Sequence, residues 1–392
     1  MGLFWAAISL MLACVTGVFH LTIRACSGAP RSGGHATREG GRGGIDRIMD
    51  EIRRCVASEP SQDLFVTFCA TRGKGHILFS IPRVLMALLR LSGAILGLGP
   101  DIVHINVSQN GSTWRKMIIA RVARLLGIPY VIHLHGSEFQ KFWERAPPFV
   151  ASCISDMFFY SVRTLVLGNV WRSFILSKVP EIEDRIAILP NATPAVDSTI
   201  EKSSKDCISI VFLGLVSDRK GVPQLVDALS ALSPELHWSA TIAGNGDVEV
   251  TRESISRRGL SGRVDLPGWV GPEEVSRLLL EGDILVLPSF EENLPMSVVE
   301  GMAYGLPVVT TPVGAIEDII EHEKTGLLVP PGDSAALAAA LGRLLAEPAL
   351  RAQLGQAAQA FHREHLEIRK FYARLLDIWR SGARAAPLRN SC

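Results

Sequence analysis

The sequence has no C-x-x-C pair, no Walker-type phosphate loop and no complete G-x-G-x-x-G after the first strand of either half. Its seven cysteines (Cys14, Cys26, Cys55, Cys69, Cys153, Cys207 and Cys392) are scattered and odd in number. That excludes a disulfide framework and a zinc site and points to the cytosol. No further repeat is found beyond a likeness between the two halves. Residues 2–19 carry no charge and reach the minimum length of a membrane span, yet they lack the basic leading region of a signal peptide. Val18–Ile23 is therefore expected as the first core strand, preceded by a short extension. A membrane anchor and a start at Met11 are the alternatives.

What is present fits a compact chain. Of 392 residues, 47% are apolar and 20% charged, enough for two domains with separate cores. The net charge of +1 hides an asymmetry. Residues 1–195 hold 21 Lys and Arg against 13 Asp and Glu, the remainder 19 against 26. A basic first half suits an anionic lipid carrier or membrane surface, or is a set of ordinary solvated charges.

Strand-like apolar runs alternate with helix-length amphipathic segments, the pattern of doubly wound α/β sheets. In the first half strands are expected at Val18–Ile23, Leu64–Ala70, Ile102–Val107, Tyr130–Leu134, Thr164–Leu167 and Ile186–Leu189. The polar stretch 192–207 reads as a linker. A second series follows at Ile208–Leu213, Trp238–Ala243, Val264–Leu266, Ile284–Leu287, Val308–Thr310 and Gly326–Val329. Ligands in such sheets bind beyond the carboxyl ends of the strands.

The most informative stretch is 289–314, SFEENLPMSVVEGMAYGLPVVTTPVG. A strand ends at Pro288-Ser289 and an acidic loop leads into a helix near Pro295, with Asn293 as a suitable cap. The amides around Leu294, Met296, Ser297 and Val298 then form a natural diphosphate site. Glu292 in the loop and Glu300 in the helix offer carboxylates to sugar and ribose hydroxyls. In 212–229, Gly214 ends a strand and Arg219-Lys220-Gly221 precedes a helix, placing basic residues beyond that strand end. Gly244-Asn245-Gly246 closes another strand with small residues that allow close approach.

The Glu-x7-Glu stretch with GMAYGLPVV behind it resembles the donor motif of retaining GT-B glycosyltransferases of family four, of exopolysaccharide or lipopolysaccharide type. The resemblance implies two Rossmann-like domains with parallel sheets facing a central cleft, residues 1–195 for the acceptor and 200–360 for the donor, with a helix at 367–379 packed back on the first. It implies that Glu300 holds the donor ribose and Glu292 lies at the donor sugar. Lys220, with Arg219 beside it, meets the diphosphate. The 264–269 loop, Leu266 included, reads the base through backbone groups. Two positions depart from the family: Asn293 stands where glycine is usual, and Leu215 where arginine is.

In the first half, Gly43 and Gly44 close a long glycine-rich loop where the family brings acceptor and donor near the backbone. HINVSQNGSTWRK (104–116) and VIHLHGSEF (131–139) resemble the same family. Arg115 and Lys116 at a helix start are expected to bind the pyrophosphate of a lipid-linked acceptor. His135 is expected at the donor sugar or reacting centre, with His133 and His104 as structural histidines. A metal site lacks a third ligand. No metal, no cofactor beyond the nucleotide-sugar substrate and no nucleic acid are expected. The expected place is cytoplasmic, peripheral at the inner face of a membrane. A nucleotide-sugar epimerase of the same fold and a non-catalytic nucleotide-sugar-binding subunit are the rival readings.

Overall fold

The computed structural model describes residues 19–25 (backbone only), 44–59, 61, 63–71, 80–97, 99–196 and 207–384. The expectations for residues 1–17 and Gly43 lie outside the described residues, as does most of the linker. The chain divides into two compact units, one of residues 1–190 with 369–392, the other Asn191–Ile368.

The first unit holds β1 (Phe19–Ala25), α1 (Gly44–Ser58), β2 (Leu64–Ala70), α2 (Ile81–Ser92) continued by a 3-10 turn (Gly93–Leu96), β3 (Ile102–Val107), α3 (Gly111–Leu125), β4 (Tyr130–Leu134), α4 (Phe139–Glu144), α5 (Pro148–Phe159), β5 (Arg163–Val166), α6 (Asn169–Lys178) and β6 (Ile186–Ile188). The sheet order is β2-β1-β3-β4-β5-β6. Strands β3 to β6 pair in parallel. One expectation is corrected: β1 lies between β2 and β3 and runs antiparallel to both. The sheet is mixed because hydrogen-bond ladders close in either sense, and an apolar run does not encode direction. Every residue of β3 and β4 is buried, as befits strands covered by helices on both faces.

The second unit holds β7 (Ile208–Leu213), α7 (Val222–Ser230), β8 (Trp238–Ala243), α8 (Val248–Arg257), β9 (Val264–Gly268), α9 (Pro272–Glu281), β10 (Ile284–Leu287), α10 (Met296–Ala303), β11 (Val308–Thr310), β12 (Leu327–Leu328), α11 (Ser334–Ala346) and α12 (Pro348–Phe361). Its strand order is β12-β11-β10-β7-β8-β9 and every pairing is parallel. From β7 the chain winds one way through β8 and β9, then crosses to β10 and winds the other way. The switch point therefore falls between β7 and β10, where a crevice opens beyond the strand ends.

The last helix, α13 (Ile368–Arg384), carries a buried stripe of Phe371, Tyr372, Leu375 and Trp379, the helical spacing of a core-facing side. Trp379 is fully buried, and its Nε1 donates to His104 Nδ1 at 3.1 Å. Arg374 donates to the Ile188 carbonyl at 2.8 Å. These contacts tie α13 to the first unit.

Candidate functional site

The switch point of the second unit gathers two loops, one from each central strand. After β7 the chain turns at Gly221, whose φ is +70°, and a Cβ there would lie 2.0 Å from the Pro288 carbonyl oxygen. Only glycine lets the 218–221 turn reach the end of β10 this closely. The contact is reciprocated, for the Phe290 amide donates to the Arg219 carbonyl at 2.9 Å. On the other side Gly314 has φ +63°, and a Cβ there would lie 2.2 Å from the Glu292 carbonyl oxygen. The acidic loop is thus clamped between two glycine turns.

Within the clamp the Lys220 ammonium forms an ion pair with Glu292. Both are largely withdrawn from solvent, 12% and 7% exposed at the side chain. The Ser289 hydroxyl donates to the same Glu292 Oε1 at 2.7 Å, and Ser289 is itself buried. Glu300 is buried one turn and more into α10. Pro295 stands at the N-cap, and the first intrahelical bond runs from the Val299 amide to the Pro295 carbonyl. The amides of Met296, Ser297 and Val298 precede that bond and face the helix start, the usual anion-binding arrangement. The sequence reading had placed Asn293 at the cap. Asn293 is instead part of the clamp, its carbonyl accepting from the Ala315 amide at 2.7 Å.

The remaining expected donor residues take distinct positions. Arg219 donates through Nη1 to the Glu291 carbonyl at 2.8 Å, so its guanidinium braces the acidic loop. Leu215, at the family's arginine position, is 42% exposed. Gly214 and Gly246 sit in a zipped pair of strand-end loops, where the Val216 amide donates to Asn245 and the Asp247 amide to Val216. Gly246 has φ +120° and admits no Cβ beside Val216. Leu266 lies inside β9, buried, with its carbonyl accepting from Arg252 at 3.3 Å. Sequence reasoning missed two supports. Asn191 donates to the Leu294 carbonyl at 2.7 Å from 103 residues away, and Ser289 orients Glu292. No local spacing signals the Asn191 contact.

The first unit has its own polar cluster at the ends of β3 and β4. The neutral His135 ring donates through Nε2 to Asn106 Oδ1 at 3.0 Å, and Asn106 Nδ2 donates to Met49 Sδ at 3.3 Å. The His133 ring lies 4.1 Å from that of His135, and its Nε2 is buried with no hydrogen-bond partner among the described residues. Burial pushes His104 down to about 4 and His135 down to about 3, and holds His133 well below its usual value. All three imidazoles are therefore neutral at pH 7. Among the described residues no three His, Cys, Asp or Glu side chains are grouped to hold a metal ion.

These depressed values have a stability consequence. Below the unfolded value of about 6.5 the denatured chain binds protons that the folded chain refuses. Stability is whole above that pH and falls as pH drops toward 4, by about 2 kcal/mol at pH 5 for each of His104 and His135, with His133 acting in the same direction. A urea midpoint lower at pH 5 than at pH 7, with a flatter dependence in His135→Gln, is the expected result.

Beside the cluster, Gly136 abuts Gln109, where a Cβ would lie 2.3 Å from Oε1, and Gln109 donates to Glu138 at 3.2 Å. Asn110 adopts φ 58° before α3, a conformation that asparagine tolerates better than most residues. Gly44 begins α1 and is exposed. Arg115 lies in the first turns of α3, half-buried. Lys116 requires a correction as an acceptor ligand. It is fully buried, and its ammonium donates to Thr71 Oγ1 at 2.8 Å. Burial and the neighbouring Arg115 hold its pKa well below the usual lysine range. On a helix that packs against the sheet, position 116 falls on the inward side, which adjacency to Arg115 in sequence concealed.

Residues 208–347 match the family described as glycosyl transferases group 1. The amylovoran biosynthesis glycosyltransferase AmsK of Erwinia amylovora is 36% identical over 145 residues, 35% of this chain and 36% of that protein. The alpha-D-kanosaminyltransferase of Streptomyces kanamyceticus is 31% identical over 257 residues, 60% of this chain and 66% of that protein. The chain thus spans between about a third and two thirds of these curated relatives. Among solved structures, Anabaena HepE in complex with UDP has a TM-score of 0.64 and 18% identity, covering 76% of this chain and 82% of that one; this likeness shows the fold alone. The two Rossmann-like units are those of the GT-B class. This match to the group 1 glycosyltransferases falls within the second unit.

Proposed function

We propose that the protein is a retaining glycosyltransferase that moves a sugar from a nucleotide-diphosphate sugar to a lipid-linked saccharide during cell-surface polysaccharide synthesis. One observation carries the reading: the shielded Lys220–Glu292 pair stands at the β7/β10 switch point with Glu300 on the adjoining helix. An ammonium, a helix start and two carboxylates suit a diphosphate and the hydroxyls of ribose and sugar. The AmsK relative acts in amylovoran biosynthesis by its name, and HepE has been seen with UDP; both support a polysaccharide-directed, nucleotide-dependent reaction.

In this mechanism the bond from the anomeric carbon to the diphosphate oxygen breaks and a bond from that carbon to the acceptor oxygen forms on the same face. Lys220 and the α10 amides stabilise the charge left on the nucleoside diphosphate. The acceptor proton passes to that departing phosphate, so no side chain is required as general base. Glu300 orients the ribose and Glu292 the sugar, while Arg219 and Ser289 hold the acidic loop. His135 serves as a neutral hydrogen-bonding group of the first unit, and Arg115 and Gly44 belong to its acceptor surface.

A thermal-shift screen of nucleotide sugars tests the donor half directly. A ligand at a hundredfold excess over Kd stabilises by about 2.7 kcal/mol, and the shift should vanish in Glu300→Gln. No shift with any nucleotide sugar or free nucleoside diphosphate would remove the basis of the proposal.

A further inference from the structure

The outward side of the first unit's helical layer is apolar where a water-facing layer is normally polar. In α2 the residues turned to solvent are Ile81, Leu85 and Leu89, spaced by four, with Met86 beside them. All four are more than half exposed. The opposite side of the helix buries Ala87 and Leu91. The 3-10 turn that follows adds Ile95 and Leu96, about three quarters exposed. Helix α3 packs between α2 and α5 and exposes Ile118 and Leu125. Scattered exposed leucines are ordinary, but a row along one helix continued onto its neighbour is not.

The charge on this face is mostly of one sign. Helices α2 and α3 carry five arginines and no carboxylate, and their one lysine, Lys116, is buried. Arg90 is exposed on α2 and Arg83 lies partly exposed beside the apolar row. On α3, Arg121 and Arg124 line a shallow groove against α5, in which Asp156 is the one acidic lining residue. The Arg124 guanidinium lies over the Tyr160 ring, an aromatic that is itself 41% exposed. An apolar row bordered by arginines, with an aromatic at its margin, has the make-up of helices that lie in a bilayer interface. A second copy of this chain is a poorer occupant, because a two-fold contact would set the arginines of both copies against each other.

We propose that the outer face of α2 and α3 is a docking surface for an anionic membrane, with the apolar row at acyl-chain level and the arginines on lipid phosphates. Among the described residues no helix is long and apolar enough to cross a membrane, so contact through this face is peripheral. The surface stands on its own geometry. It deepens the transferase reading only in bringing the protein to the plane where a lipid-linked acceptor resides.

The test is flotation of the full chain with vesicles of phosphatidylcholine containing about a third phosphatidylglycerol, against vesicles of phosphatidylcholine alone. Strong binding to the anionic vesicles, weakened by salt, is expected. Leu85→Asp/Leu89→Asp should lower partitioning at least about tenfold. Both positions face solvent, so the fold should persist; should that variant unfold, Arg83→Glu/Arg90→Glu replaces it with the same expected direction. Wild-type failure to float overturns the proposal, as does undiminished binding of the variants, which would assign the membrane contact to another segment such as 2–19. A wild-type dimer that the substitutions convert to monomer without vesicle binding also overturns it and makes the face a self-interface. The nucleotide-sugar thermal shift, measured on the same samples, is independent. Its loss in wild type defeats the transferase reading and leaves the vesicle result intact.

Discussion

Lys220→Ala is expected to lower turnover about 10²- to 10³-fold, the usual effect of removing one preorganised group that meets developing charge. Part of the loss is structural, because Glu292 would remain as a shielded carboxylate with Ser289 but without its cation. Removing one member of such a pair costs about 3 kcal/mol. The double variant Lys220→Ala/Glu292→Gln separates the two effects. It should regain most of the melting temperature, since no charge is left unpaired, while activity stays at the level of the single variant or below. Lys220→Arg keeps the charge and should hold stability better than activity, because a planar fork does not reproduce a compact ammonium between two loops. Steady-state kinetics beside thermal melts decide the matter. If Lys220→Ala retains wild-type turnover with a demonstrated donor and acceptor, the diphosphate role assigned to this lysine is wrong.

Trp379→Ala should destabilise the first unit by about 3–5 kcal/mol. The indole is fully buried on α13, and deleting it opens a cavity against a sheet that cannot collapse to fill it. It also leaves His104 Nδ1 buried without its indole donor, which adds to the loss. Trp379→Phe separates these contributions, keeping most of the volume and losing only the N–H donor, and should cost roughly 1–3 kcal/mol. Urea unfolding followed by far-UV circular dichroism reads both. The second unit has its own core, so donor binding measured at low temperature should persist in Trp379→Phe.

The second sheet was the most legible part of the sequence. Ile208–Leu213, Trp238–Ala243, Ile284–Leu287 and Val308–Thr310 are read with the bounds the structure shows. Each is a short, strongly apolar run closed by glycine, proline or a polar residue, and buried parallel strands need no other pattern. The first sheet was legible except for the direction of one inner strand: β2, β3 and β4 are read with the bounds the structure shows, while the antiparallel sense of β1 is not foreseen. In the site, Glu292, Glu300 and Lys220 were found as residue types at strand ends. The clamp around them was not, because Gly221 and Gly314 act through contacts with Pro288 and Glu292 that no spacing reveals.

By itself the sequence determined the two alternating α/β series and the chemistry available at their strand ends. Both follow from local facts, since an apolar run of given length fixes an element and a polar residue after it fixes a loop. Tertiary structure alone decided which ends meet. Placing β10 beside β7 joins Lys220 to Glu292 across 72 residues, and the same non-local packing ties Asn191 to Leu294, turns Lys116 inward and leaves the apolar row of α2 facing out. Contacts between distant segments depend on strand order and helix orientation, and these are settled only when the whole core closes.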